Sequence, residues 1–539
     1  MVSQWDRWTR NDLDHQSRIK ELVMPRAKRM VFFVSMMVLS GFYSACEKEL
    51  NKISPKAPEE ETPEEPSDSS EYPGVPKSDI YEVTVFSGDE RKECVVFQST
   101  VPAFQPGVMG MEEKDKFPLE IFEGRSISWA KFPISGTLTV EVKILDLEKV
   151  PISGAVHVWP SRHGIDPRVE GNTIRFTLTD PGQFSLEIGA KGYRNGLVLF
   201  ADPPETEIPE MESGQYSVLE EASLSDVLSV ASKRPGLYFK QGVHDIGVFK
   251  VPQNVKNIYF EDGAWVYGAL VMDANPDVKI FGRGILSAAR LDYRESHSVE
   301  AINQSNNITV EGLVIADPKH FGVRLIGNNN NVHWTKIIGG WVYNTDGISA
   351  FEGSRVTHCF IWANDDAIKV YRNDTHWSDI VVWQLNNGGV IQMSWGGSNA
   401  KDVTLERIDV LRAEWNKPGF NRALLSCVGN RYQTPNVTGS QENWLIKDVV
   451  TETPIPVIFN ISPDAFSPNT IDKLSLQNWD VQMPMDTSFE NLIIGNDPSY
   501  PFKEFIFEDF IFNGTRLTES NWKDVTGLIT ENLETPIFK

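Results

Sequence analysis

Three aspartates, Asp346, Asp365 and Asp366, lie in the stretch NTDGISAFEGSRVTHCFIWANDDAIKVY (residues 344–371), which otherwise alternates apolar and polar residues like β-strands. Carboxyl groups held close together cannot all ionise freely, so repulsion raises at least one pKa and keeps one group protonated near neutral pH. One acid beside carboxylate bases is the equipment for glycosidic bond hydrolysis. A single Asp here would read as a solvated turn residue. Three acting together need an element that stacks Asp346 against the Asp365–Asp366 pair.

A repeat supplies that element. Laying NNITVEGLVIAD, NNVHWTKIIGG, SRVTHCFIWAN, SDIVVWQLNNG and KDVTLERIDVL under one another aligns Ile308, Val332, Val356, Ile380 and Val403, at spacings of 24, 24, 24 and 23 residues. Five positions on, Leu313, Ile337, Ile361, Leu385 and Ile408 form a second aliphatic column. A period of this length, built from short strands with Asn and Gly between them, predicts an all-β fold: a right-handed parallel β-helix whose coils stack and bury aliphatic ladders. A second strand per coil aligns Val323, Ile348, Ile368, Ile391 and Leu424, with Phe321, Asp346, Asp366, Gly389 and Arg422 two residues earlier. Asp346 and Asp366 should then be neighbours on successive coils, about 4.8 Å apart. Asp365 joins them only if the chain bends, which is expected near Ala367.

The rest of the chain frames this element. At 539 residues it exceeds one compact core. Residues 1–23 carry no core pattern and suggest that translation starts at Met24. Residues 24–46 read as a lipoprotein signal: Arg26, Lys28 and Arg29, an apolar run from Met30 to Leu39, then Ser44 and Ala45 before Cys46, the expected lipidated residue. Residues 47–77, rich in Pro, Glu and Ser, predict an extended tether. Short alternating runs over 78–205, among them YEVTVF, AVHVWP and NTIRFTL, predict an antiparallel β-sandwich. A helix is expected over Val218 to Ser232, and residues 206–539 form the β-helix domain. Cys94, Cys359 and Cys427 show no metal-ligand spacing and read as small buried apolar residues.

NTDG and NDD resemble signature motifs of the polygalacturonase-like β-helix hydrolases. NDDAIKVY followed by VIQMSWG resembles glycoside hydrolase family 49, the dextranase and isopullulanase family, and the likeness runs from about residue 80 to the end. The resemblance implies an inverting hydrolase in which Asp365 is the general acid while Asp346 and Asp366 act as general bases on the attacking water. The Gly-His-Gly turn and Arg-x-Lys motif that polygalacturonases use are missing, since the matching coils read NNGGVIQM and FNRALL. These departures favour a neutral glucan, and the family resemblance implies an α-glucan, dextran-like with α-1,6 linkages. Asn344, Asn364, Lys369, Tyr371 and Gln392 are expected substrate contacts, with Lys369 pairing with an Asp as the other reading, and Trp395 is expected as a sugar platform. Trp334, Trp362 and Trp383 read as ladder or surface packing, and His320 and His358 as structural.

The expected partner is therefore a polysaccharide, with no cofactor and no metal ion. A net charge of −23 argues against nucleic acid. The membrane enters only through the lipid anchor, and the expected location is the bacterial outer membrane or cell surface. Two other readings use the same scaffold. A polysaccharide lyase would bind Ca²⁺ through the three Asp and use Lys369 or Arg372 as base; a hydrolase of another polysaccharide such as a galacturonan shares its substrate class. A non-catalytic glycan-binding surface lipoprotein would keep the aromatic platform and release no reducing sugar.

Overall fold

Punctuated alternation over the N-terminal third does form two facing sheets. The computed structural model describes residues 75–103, 118–395, 398–428, 439–463, 469–484, 488–496, 498–499 and 501–539. Cys46 and the tether up to residue 74 lie outside the described residues. One five-stranded sheet runs in the order Glu90–Cys94, Tyr81–Ser87, Leu138–Ile144, Thr173–Leu178, Arg168–Glu170. The other has Val96–Thr100, Ser126–Pro133, Asn195–Asp202, Gly182–Ile188 and Val156–Trp159. Inward residues such as Val83, Val140, Phe176, Phe184 and Leu199 make their common core. One pairing departs from the antiparallel expectation: Asn195–Asp202 runs parallel to Ser126–Pro133. The long connection between these strands, which passes through the first sheet, permits it.

The helix is shorter than expected. It spans Leu224–Ala231, because Ser223 and Asp226 form a capping box that starts it and Tyr216–Leu219 pairs instead with Gly236–Phe239 as a strand.

From Tyr216–Leu219 to Ile537–Phe538 the chain builds a continuous, almost wholly parallel sheet of 28 strands, the expected β-helix. Its main ladder stacks Val310, Val332, Val356, Trp377, Leu405, Ile446, Leu476 and Phe507 in register, all buried. This corrects the spacing read from sequence. Val332 pairs with Val310 rather than Ile308, and Val356 pairs with Trp377 rather than Ile380, so successive steps are 22, 24, 21 and 28 residues. The second column shifts likewise to Ile315, Ile337, Ile361, Val382 and Val410. A slip of two residues keeps the inward parity, and left-handed residues such as His358 (φ 53°) and Asp379 (φ 57°) bend the chain between faces. Apolarity alone therefore does not fix the register.

The sandwich is bonded to the solenoid through an aromatic seam. Phe97 and Trp129 from the sandwich meet Trp265, Phe360, Trp362 and Trp383 from the coils in one buried cluster. Trp362 and Trp383 meet with tilted rings, 4.7 Å between centroids. Across the seam, Arg125 grips Glu414 at 2.5 and 3.0 Å and Lys336 meets Asp202 at 2.5 Å, in pairs that are almost fully buried. Cys359 and Cys427 are buried and Cys94 is half-buried. Among the described residues no helix is long and apolar enough to cross a membrane.

Removing one partner of a buried pair strands the other charge. Arg125→Met should therefore cost about 3–5 kcal/mol. Arg125→Met/Glu414→Gln should recover part of that loss, because Gln keeps the acceptor that Trp383 Nε1 uses at 2.8 Å. Denaturant midpoints of the two variants check this, and equal losses would remove the ion pair as the cause.

Candidate active site

Asp346 precedes the strand Ile348–Ala350, and Asp365 and Asp366 precede Ile368–Val370 on the next coil. The strands pair as Ile348↔Ile368 and Ser349↔Lys369, and Gly347 N–H donates to Asp366 O at 3.0 Å, so Asp346 stacks on Asp366. One coil further, Ala367 N–H donates to Gly389 O at 2.9 Å. The chain bends at Asp365 and again at Ala367, which turns both side chains of the pair into one place. Side-chain oxygens of all three carboxylates lie within 4.8 Å of one another. Gly388 closes the arrangement from the following coil. It sits at φ +77°, and a Cβ there would stand 2.2 Å from the Asp365 carbonyl carbon.

The three carboxylates are held differently. Lys369 Nζ donates to Asp346 Oδ1 at 2.5 Å and to Asp366 Oδ2 at 2.9 Å. Asp366 Oδ1 also accepts from Gly389 N–H at 2.9 Å and Asn421 Nδ2 at 2.6 Å. Asp365 Oδ2 accepts from Asn344 Nδ2 at 3.0 Å and Asn387 Nδ2 at 2.7 Å, and its Oδ1 accepts from Asp366 N–H at 3.0 Å. Asp365 is the most open of the three, 8% exposed against 2% for Asp346 and 1% for Asp366.

Burial is the main force on the charges. It drives the Asp346 pKa well above the usual carboxylate range; Lys369 opposes this, and Asp365 and Asp366 reinforce it. Lys369 is itself buried, which disfavours its charge, yet Asp346 and Asp366 outweigh that and hold its pKa well above the ordinary value. Lys369 is therefore held as a cation beside the carboxylates. The carboxylate oxygens accept from the Lys369 ammonium and from amide N–H groups.

Several expected substrate contacts are relocated. Lys369, with its side chain 7% exposed, pairs with Asp346 and Asp366, as the other reading of its position had it. Asn364 is fully buried and has both ends engaged, donating to Trp341 O at 2.5 Å and accepting from Asn387 N–H at 3.0 Å. Tyr371 is buried against Phe351, and burial pushes its hydroxyl up to about 12. Gln392 follows Lys369 in register and is fully buried, with neither amide atom hydrogen-bonded among the described residues. Asn344 is half-buried and serves Asp365, with Tyr293 OH donating to its Oδ1 at 2.7 Å. Trp395 ends the strand Ile391–Trp395, but its side chain lies outside the described residues. His320 stacks on His297 at 3.9 Å and His358 on Trp334 at 4.7 Å, as packing.

Arg422 also leaves its assigned column. Ile391 pairs with Leu425, not Leu424, so Ala423 follows Gly389 and Arg422 donates instead to Lys417 O at 2.7 Å. Its neighbour Asn421 reaches Asp366. Tyr293, Asn387 and Asn421 were missed by the sequence reading. The Asn and Gly of NNGG and the Asn of FNRALL were the available signals, but only the correct register aims them at the carboxylates.

No family model matches the chain. A dextranase of Arthrobacter globiformis is 23% identical over 492 residues, covering 78% of this chain and 76% of that protein. An isopullulanase of Aspergillus niger is 22% identical over 386 residues, covering 62% of this chain and 66% of its own length. Among solved structures, Dex49A from Penicillium minioluteum superposes with a TM-score of 0.73 at 18% identity, over 86% of this chain and 95% of that one, a likeness of fold. The resemblance carried by NDDAIKVY thus extends across both the sandwich and the β-helix: the chain is related to dextranases and isopullulanase.

Lys369→Met gives a pH-dependent test of the charge cluster. A carboxyl whose folded pKa is raised has its full stabilising effect below its unfolded value, about 3.9, and loses it as pH climbs through the folded value. Removing Lys369 takes away the one influence that lowers the Asp346 pKa among those opposing its burial. The variant should therefore be destabilised more at pH 8 than at pH 5, measured by denaturant midpoints. An equal loss at both pH values would mean that Lys369 acts only by packing.

Proposed function

We propose that this protein is a glycoside hydrolase that cleaves an α-glucan, dextran-like with α-1,6 linkages. The observation that carries the reading is the stacked carboxylate cluster: two members share the Lys369 ammonium and the third, more open member is held by asparagine amides. Relatives called dextranase and isopullulanase, aligned over most of the chain, support the substrate class.

In the proposed reaction Asp365 gives its proton to the glycosidic oxygen as the bond to the anomeric carbon breaks. A water held by Asp346 and Asp366 attacks that carbon and yields its proton to a carboxylate. A carboxylate with a raised pKa is the stronger base once ionised, which suits Asp346 to this role. Inversion is the proposed outcome. The oxygens lie within 4.8 Å, nearer the spacing of about 5–5.5 Å usual for retaining pairs than the roughly 6.5–9.5 Å of inverting ones. Against direct attack by a carboxylate, Asp366 has both oxygens bonded to buried donors, and Asp346 has one bonded to Lys369. Oxygens so engaged are better placed to orient water than to bond carbon. An elimination with Lys369 as base is disfavoured, because such a base must be neutral and this ammonium is stabilised.

We also propose export and lipid anchoring at the bacterial outer membrane or cell surface through Cys46, resting on the motif at residues 24–46.

Asp365→Asn should lower hydrolysis of dextran at least about a hundredfold, and a nitrophenyl glycoside, whose leaving group needs little protonation, should recover most of the rate. Substantial dextran turnover by this variant would remove Asp365 from the acid role. Proton NMR of the first-formed product should show the β-anomer; the α-anomer would replace inversion by retention. Release of an unsaturated sugar, or loss of activity with chelator, would replace hydrolysis by the lyase reading. Palmitate labelling in a bacterial host should require Cys46, and label persisting in Cys46→Ser would overturn the anchor.

A further inference from the structure

One of the two asparagines that hold Asp365 leads out of the solenoid. Asn387 donates Nδ2 to Asp365 Oδ2 at 2.7 Å, while its backbone N–H donates to Asn364 Oδ1 at 3.0 Å. Asn364 donates Nδ2 to Trp341 O at 2.5 Å. The Trp341 indole N–H then donates to Ser99 Oγ at 2.9 Å. Ser99 belongs to the sandwich strand Val96–Thr100, and its hydroxyl donates in turn to Asp317 on the β-helix. Hydrogen bonds and covalent backbone thus run without a break from the sandwich to Asp365.

The line is rigid. Ser99, Trp341 and Asn364 are 2%, 3% and 0% exposed, so breaking any of these bonds would leave a buried polar group unpaired. Trp341 is also wedged by Trp362 at 5.0 Å, by Phe122 at 6.5 Å and by the Arg125 guanidinium 5.7 Å from its ring centroid. Asp365 therefore has two clamps of different origin. Tyr293 and Asn344 hold it from the preceding coils, and the Ser99–Trp341–Asn364–Asn387 line holds it from the sandwich.

We infer that Ser99, Trp341, Asn364 and Asn387 are positioning residues through which the sandwich sets the orientation of Asp365 toward the leaving oxygen. The inference rests on the reading of Asp365 as the acid. A misdirected acid slows only a reaction that needs it, so the defect must depend on the leaving group.

The test uses the full chain and compares Ser99→Ala, Trp341→Phe and Asp365→Asn with Arg162→Gln, which removes a different sandwich-to-helix contact, to Asp409. Each is assayed for kcat and KM on dextran and on a nitrophenyl isomalto-oligosaccharide, and for melting temperature. Ser99→Ala and Trp341→Phe should lower kcat on dextran about tenfold to a hundredfold with little change in KM, while the nitrophenyl substrate is nearly unaffected. Arg162→Gln should leave the ratio of the two rates unchanged, whatever its melting temperature. Equal losses on both substrates, or loss on neither, in Ser99→Ala and Trp341→Phe would overturn the inference while leaving Asp365 as the acid. If Asp365→Asn itself shows no recovery on the nitrophenyl substrate, the acid assignment fails and the inference fails with it.

Discussion

Lys369 reaches Asp346 and Asp366 from a side chain 7% exposed, at 2.5 and 2.9 Å. At an effective dielectric near 20, two carboxylates about 4.8 Å apart repel by about 3.5 kcal/mol. Burial compounds that repulsion at Asp346, whose pKa is driven well above the usual carboxylate range. The ammonium changes that balance by attracting Asp346 and Asp366 at once. Asp365, within the same small volume, accepts from the amides of Asn344 and Asn387.

The fold makes this proximity unavoidable. Adjacent parallel strands lie about 4.7–4.9 Å apart, so equivalent positions on successive coils bring side chains to contact distance. Asp346 and Asp366 are such positions, and the backbone bond from Gly347 N–H to Asp366 O fixes them there. Glycines admit the close approach: Gly388, at φ +77°, lets the next coil pass against the Asp365 backbone.

Parallel β-helix architecture, the sandwich and the stacking of Asp346 on Asp366 were legible in the sequence, because each depends on alternation and on short-range repetition. Coil-to-coil pairing was less so. Ile308 and Val310 are both buried, so shifting the ladder by two residues leaves the aliphatic pattern intact. The one-residue error at Leu424 mattered more, since it promoted Arg422 and hid Asn421, which bonds to Asp366 at 2.6 Å. The roles of Asn364, Tyr371 and Gln392 were illegible for another reason. Their residue types fit a sugar-binding surface, and only the structure shows that all three are buried.

Register also joins the core to the chemistry. In the strand Ile368–Val370 the two aliphatic side chains enter the buried ladder, which obliges Lys369 between them to face the carboxylates. A slip of one residue would drive the ammonium into the aliphatic interior and turn Ile368 or Val370 toward Asp366. Along the same column Glu300, Arg324, Ser349, Lys369, Gln392, Ser426 and Asn460 follow one another in register, forming a polar stripe between apolar ladders. Its charges are matched locally, Arg324 with Glu300 at 2.7 Å and Lys369 with Asp346 and Asp366. The ladders of Ile, Val and Leu that stabilise the solenoid are therefore what aim the cation at Asp346 and Asp366, and repacking them cannot be independent of the charge arrangement there.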